Sequence, residues 1–575
     1  MAKKQKSLHP DAPLLHADHP RPVTRRDFIR QGFMTGGAVV TSGTLFNALL
    51  SGNAHAVSPL SADVLAMDTG NNCVVGASGA LKLPFMCFDL AGGANLVGSN
   101  AIVGGPGGQL DTAAISTQGY SRLGVPGDRL PDPNTPGLNT NSTVGLVFHS
   151  ESALLAGMLD KMSPEAAAMT NGAVIPARSD NDTGNNPHNP MYGIAQAGAS
   201  GGLLTLIGSQ ASESGGRSLA AGGSDPATAN IFINPEIRPT KIDRPSDVTG
   251  LVDTGELLSI LNQQDATKVM EAVARISDSQ ITGVDGGFQA NNAANTLALQ
   301  QLLRCGYVKS ADIADSFADP QALNPQADPF IVDDATGIFT NAEFDGSGEF
   351  RKVSSIMKLV VGTNAGAGTV TMGGYDYHTG DRVAGERRDI RAGRCIGAAI
   401  EYAHRVGRPL MVYVFSDGSV FSNGNADGTQ IVDGNITLPG GKGQWTGDNS
   451  GGAASLIFVY DPRATARPTI RGGTPVEQAA RQQLGYFRNN GSIETSARTP
   501  GGFPILAANN VSSLVETVIL NYIALHNPTD GAAIAEFNTM FPNHSLGSDA
   551  ALAELMIFNS LPSIAAGQIL AALPQ

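Results

Sequence analysis

The sequence predicts an α/β fold: a mostly parallel central sheet covered by helices on both faces. Three observations carry this. In the second half of the chain, segments with helical apolar spacing alternate with short apolar, β-branched runs, the pattern of strand–helix–strand crossovers. The runs are nearly continuous in apolar residues, as strands buried on both faces require. Several close on an acid or a glycine turn, and 70 glycines and 33 prolines in a chain only 15% charged describe long, tight loops.

The elements follow in order. "TRRDFIRQGFMTGGAVVTSGTLFNALLSGNAHA" reads as an export signal: Arg25 and Arg26 form a twin-arginine pair, a weakly apolar stretch follows, and Ala54-His55-Ala56 is cleavage-like. Residues 1–56 are therefore set aside as a twin-arginine signal peptide. "LKLPFMCFDLAGGANLVGSN" predicts a buried strand closing on Asp89 and a glycine-rich turn, and residues 98–142 read as an ordered excursion. Spacing of three and four predicts a helix over roughly 151–168, with Ser150 near its start. A short strand, a polar loop and a short helix beyond Pro190 come next. "TGELLSILNQQDATKVMEAVARISDSQ" and "NNAANTLALQQLLRCGYV" are amphipathic helices. Then come helix "EFRKVSSIMKLVVGTN", strand "GTVTMGG", helix "RDIRAGRCIGAAIEYAHRVG", strand "PLMVYVFSDGS", a polar loop, and strand "AASLIFVYD". In open α/β sheets ligands bind outside the carboxyl ends of strands, so these acid-ended runs aim polar groups at one edge. An α/β domain over 57–463 and a C-terminal extension over 464–575, with two helical stretches packing on the same domain, complete the organisation.

Charge and composition exclude several functions. Net charge is −14, and removing the leader's seven basic and three acidic residues from totals of 37 and 51 leaves −18. No basic stripe is present, which excludes nucleic acid as a partner. Past the leader there is no apolar stretch of about 20 residues, so no transmembrane segment is expected. Cys73, Cys87, Cys305 and Cys395 allow three pairings if all are joined, but lack a C-x-x-C. "GGPGG" at 104–108 lacks a P-loop Lys-Ser/Thr, so no nucleotide is expected, and Gly-x-Ser-x-Gly is absent. "EFDGSGEF" (343–350) and "SDNDTGNN" (179–186) have calcium-like composition but match no defined loop and read as turns.

The chemistry concentrates in "TVTMGGYDYHTGD", residues 369–381. Residues i and i+2 of an extended chain face the same side, so Asp376 and His378 can hold a divalent metal or close the strand end as a hydrogen-bonded pair. Of the six histidines after the leader, His404 caps or solvates a helix, and His526 and His544 read as structural in tail loops. His149, at a helix start, stays open. His188 lies in a polar loop of the kind that collects binding groups.

On these segments, taken in order, the chain resembles a family of twin-arginine-exported bacterial proteins of unknown function, distant relatives of sulfatases and alkaline phosphatases. The resemblance covers roughly 84–460 plus the tail: the arginine-pair leader, "MCFDLAGGAN", "HNPMYGIAQAG", "GGYDYH", "FSDGS", "TGDNSGG" and a late Phe541-Pro542. It implies an alkaline-phosphatase-like three-layer α/β sandwich with metal ligands at strand ends. Asp376 and His378 would serve one site, Asp89, Asp417 and Asp448 another, with His188 lining the loop, and one divalent ion (zinc, manganese or calcium) as cofactor. The sequence departs from the family in three places. Pro187-His188-Asn189 lacks the serine that relatives usually put beside the histidine, Asp448-Asn449 replaces Asp-His, and Asp417 stands for a longer acidic motif. An amide is a poor substitute for imidazole on a transition metal, though its oxygen suits calcium. A nucleophile could come from Ser416, from Thr379 or from metal-bound water. Two functions follow: a periplasmic or secreted protein with a partly degenerate site, serving binding, assembly or secretion with an envelope protein partner, or a metal-dependent hydrolase of phosphate or sulfate esters. Either form would use the twin-arginine translocase for export.

Overall fold

A computed structural model describes residues 60–67, 82–132, 135, 138–179, 188–209, 239–252, 261–281, 293–316 (side chains in part) and 319–573. The expected leader (residues 1–56), Cys73 and most of "SDNDTGNN" lie outside the described residues.

Seven strands form the main sheet. They are β1 (Phe85–Leu90), β2 (Thr170–Pro176), β3 (Leu204–Gly208), β4 (Thr240–Lys241), β5 (Ala365–Met372), β6 (Leu410–Phe415) and β9 (Ala454–Tyr460), in spatial order β2-β9-β6-β1-β5-β3-β4. Strands β1, β5, β6 and β9 are buried at every position, which explains their mostly apolar sequences. β1 pairs in parallel with both β5 and β6. β9 runs antiparallel to β6 and β2. The sheet is therefore mostly parallel, as expected, with one reversed strand. That reversal corrects one expectation: the acid closing "AASLIFVYD", Asp461, lies at the opposite sheet end, where it accepts from the backbone N–H of Ser563 at 3.1 Å.

Alternation along β1 sends Met86, Phe88 and Leu90 into one core and Phe85 and Cys87 into another. The first core lies under α1 (Ala153–Lys161), α5 (Gly348–Val361) and α6 (Arg382–Arg405). The second lies under α2 (Met191–Gln196) and α7 (Val511–His526). The result is a three-layer α/β sandwich whose second helical layer is supplied largely by the tail. Tyr522 Oη donates to the Leu83 carbonyl at 2.8 Å and His526 Nε2 accepts from the Leu83 amide at 3.0 Å, pinning the start of β1. Helices α3 (Gln263–Ile281) and α4 (Ala293–Ser316) pack on each other with the 60–67 segment over a small core of their own.

The chemistry of particular residues sets the ends of these helices. Ser347 Oγ caps α5 through Phe350 N, and Thr340 and Glu343 form a capping box just upstream, so "EFDGSGEF" is a helix–cap–helix junction. α1 and α6 pack with backbones in contact because glycines face each other: a Cβ on Gly157 would lie 2.1 Å from the Ile390 carbonyl oxygen.

Other expectations need correction. The helix over 151–168 is two: Ser152, rather than Ser150, caps α1, and Ser163 caps a separate turn begun by Pro164. A serine–proline step suits a new N-terminus, because the ring needs no N–H there. The polar loop after β6 holds strands β7 (Ser419–Ala426) and β8 (Gly443–Asn449), an antiparallel pair, and a smaller hairpin between them. Their polar alternation hides them, since one face meets solvent. The tail has two further helices, Pro475–Gln482 and Asp530–Met540, and His526 ends α7 rather than lying in a loop. Cys87 and Cys395 are free and buried.

Candidate functional site

The central strand β1 lies between β5 and β6, and the loops leaving these three carboxyl ends are laced together. Ala91 N–H donates to the Met372 carbonyl at 3.0 Å and Tyr375 N–H to the Ala91 carbonyl at 3.1 Å. Gly92 has φ +119°, and a Cβ there would lie 2.6 Å from the Asp376 backbone nitrogen, so only glycine lets the loops approach. Gly92 N–H donates to Asp417 Oδ1 at 2.6 Å. Ser416 Oγ donates to the Leu90 carbonyl at 2.6 Å and accepts the Ala94 N–H at 2.8 Å.

"GGYDYH" alternates across this edge. Tyr375 and Tyr377 point inward, and their hydroxyls donate to the Arg388 carbonyl at 2.8 Å and to Asp389 Oδ1 at 3.1 Å. Tyr377 Oη also accepts the Asn95 N–H at 2.8 Å. The intervening Asp376 and His378 turn outward and meet each other, Nε2 to Oδ1, at 2.8 Å. Their i, i+2 spacing thus brings them to one side as a hydrogen-bonded pair.

Asp389, on α6, anchors the motif from below. It is buried, accepts from Asn100 Nδ2 at 2.9 Å, and its carboxyl is pushed up to about 7 by burial and the nearby Glu386 charge. Glu386 is buried with Arg382 at 2.6 Å and Lys442 at 2.5 Å, an ionic core joining α6 to the start of β8.

Asp89, also buried, has the Thr371 hydroxyl 3.4 Å from Oδ2. Cys87 and Asp89 stand in register with Thr369 and Thr371, so the four share one face. Asn189 Nδ2 reaches Thr369 Oγ1 at 3.0 Å, and His188 stacks on Phe415 with centroids 6.0 Å apart. Asp448, exposed on β8, has Oδ1 3.7 Å from where a Gly418 Cβ would be. Asn449 Oδ1 accepts the Ser419 hydroxyl at 3.0 Å and the Gly452 N–H at 2.7 Å, so it holds the turn. Thr379 is exposed.

The strand edge thus gathers Asp89, Asp376, His378, Asp417 and Asp448, but their contacts are pairwise. Among the described residues no three His, Cys, Asp or Glu side chains form a group that could hold a metal ion. The imidazole nitrogen facing Asp376 is occupied by that carboxylate, and Asp417 Oδ1 by Gly92. The other histidines serve the scaffold. His149 Nε2 meets the Arg129 carbonyl at 2.9 Å, His404 Nδ1 meets Tyr460 Oη at 2.9 Å, and His544 Nε2 meets Asn538 Oδ1 at 2.9 Å. Sequence reasoning passed over Thr369, Thr371, Tyr377 and Asp389. The period-two spacing of "TVTM" and of "YDY" was the available signal for the first three, whereas nothing local marks Asp389.

No protein-family model matches the chain, and no curated protein matches it. Among the described residues no helix is long and apolar enough to cross a membrane.

Proposed function

We propose that this chain is an exported envelope protein that uses an alkaline-phosphatase- or sulfatase-like framework to bind a ligand or partner at the carboxyl edge of its sheet, without turnover. The observation that carries this is the state of Ser416, the hydroxyl nearest the laced loops. Its proton is given to the Leu90 carbonyl and its oxygen accepts the Ala94 amide, so it is spent on structure. A nucleophile needs a free lone pair beside a base. The twin-arginine leader supports export to the periplasm or beyond, and the missing serine and imidazole support a degenerate site. A second reading, a metal-dependent phosphate- or sulfate-ester hydrolase, draws on the outward-facing Asp376 and His378. With a divalent ion bound, these two would be its ligands, and the ion would supply Lewis-acid stabilisation of the transferred group. Elemental analysis of processed protein purified without chelators, with Asp376→Ala alongside and an ester hydrolysis screen, separates the two. The binding reading expects no turnover. Stoichiometric zinc, manganese or calcium that disappears in the variant, together with hydrolysis, would overturn it.

A further inference from the structure

Helix α6 carries positive charge that the fold leaves unbalanced. Arg387, Arg388, Arg391 and Arg394 lie within two turns. Arg394 is neutralised by Asp160 at 2.7 Å and Asp433 at 2.6 Å. Arg387, Arg388 and Arg391 form no ion pair among the described residues, in a chain of net charge −14. Like charges three and four apart on a helix repel.

Two of the three, Arg388 and Arg391, stand beside the glycine pair that follows β5. Arg391 Nη2 donates to the Gly373 carbonyl at 3.3 Å, while its Nε is buried with no hydrogen-bond partner. A Cβ on Gly374, where φ is +91°, would lie 3.4 Å from Arg388 Cζ, so that guanidinium rests against bare backbone. A Cβ on Gly373 would meet nothing within 4 Å, and both glycines are exposed, so the backbone that the two guanidiniums touch is open to solvent.

We infer that Arg388 and Arg391, with the exposed Gly373–Gly374 backbone, form a binding site for an oxyanion group: carboxylate, sulfate or phosphate. Planar guanidinium forks match such oxygens two at a time, and the anion would remove the repulsion along α6. The site needs no metal and does not rest on whether Asp376 and His378 hold one.

The test is titration calorimetry of the processed protein at low ionic strength with inorganic phosphate, inorganic sulfate and malonate as separate probes. At least one probe should bind saturably, at one site per chain, and weaken steeply with added sodium chloride. The order of the three affinities identifies the preferred oxyanion. Arg388→Gln should weaken binding at least about tenfold. Arg391→Lys, which keeps the charge but loses the fork, should weaken it too. Arg463→Gln, on the Asp461 end of the sheet, should not. The Tyr375 anchor to residue 388 is a backbone carbonyl and survives the substitution. If melting shows Arg388→Gln misfolded, Arg388→Lys replaces it with the same expectation of weakened binding. No saturable binding of any probe by the wild type, or affinity unchanged in the folded Arg388 variant, would overturn the inference. Hydrolysis of a phosphate ester would count against the non-catalytic reading alone.

Discussion

Ser416→Ala separates a structural serine from a nucleophile. The substitution deletes a hydroxyl that makes two buried hydrogen bonds, leaving the Ala94 N–H without its acceptor and the Leu90 carbonyl without one donor. A buried amide left unpaired costs about 1–3 kcal/mol, and the lost carbonyl bond roughly 1 kcal/mol before any relaxation or water entry. The expected loss is therefore about 2–4 kcal/mol. An unfolding entropy of about 2.1 cal/mol/K per residue, over roughly 500 residues, makes each 1 kcal/mol worth about 1 °C. Differential scanning calorimetry should accordingly show a melting point lower by about 2–4 °C, with ester hydrolysis as absent as in wild type. An unchanged melting point combined with loss of a measurable wild-type esterase activity would refute the reasoning, because it would make Ser416 chemically rather than structurally employed.

Two further perturbations probe the scaffold beneath the site. Asp389 is pushed up to about 7, so between pH 4.5 and 6 the folded chain holds a proton there that the unfolded chain, titrating near 3.8, has released. That contribution makes stability fall as pH rises. His149 and His526, both held down to about 3 by burial, make it rise over the same window. Asp389→Asn removes only the falling contribution, so denaturation midpoints converted to free energy should show a slope against pH more positive by about 1.4 kcal/mol per unit; an unchanged slope would place the Asp389 proton elsewhere. Gly124→Ala would put a Cβ 2.1 Å from Trp445 Cη2 at φ +85°. Overpacking and left-handed strain together should cost about 2–5 kcal/mol, and the chain's one tryptophan should report the loosened core as red-shifted emission. Unshifted emission at wild-type stability would contradict this packing.

The amino-acid order by itself determined the layered α/β class, because strands buried on both faces must be continuously apolar and crossover helices must show a three-to-four period. It also determined that Asp376 and His378 share a side, since the alternation that turns Tyr375 and Tyr377 inward leaves the other two outward. Where one face meets water the apolar signal halves, and β7 and β8 were lost within a loop for that reason. Strand direction is a property of neighbours. Only the tertiary structure placed Asp461 at the far end of the sheet, away from Asp417, although both follow similar apolar runs. Only the fold decided how the polar groups are spent. Ser416 reaches a strand some 326 positions earlier, and Asp389 meets Asn100 across 289. Arg387, Arg388 and Arg391 read as ordinary helix charges until the fold shows which acids come near, and among the described residues those acids pair with Arg382, Arg394 and Arg405 instead. Local spacing fixes which way a side chain faces, while long-range packing fixes what it finds there, and the chemistry of this edge depends on the second.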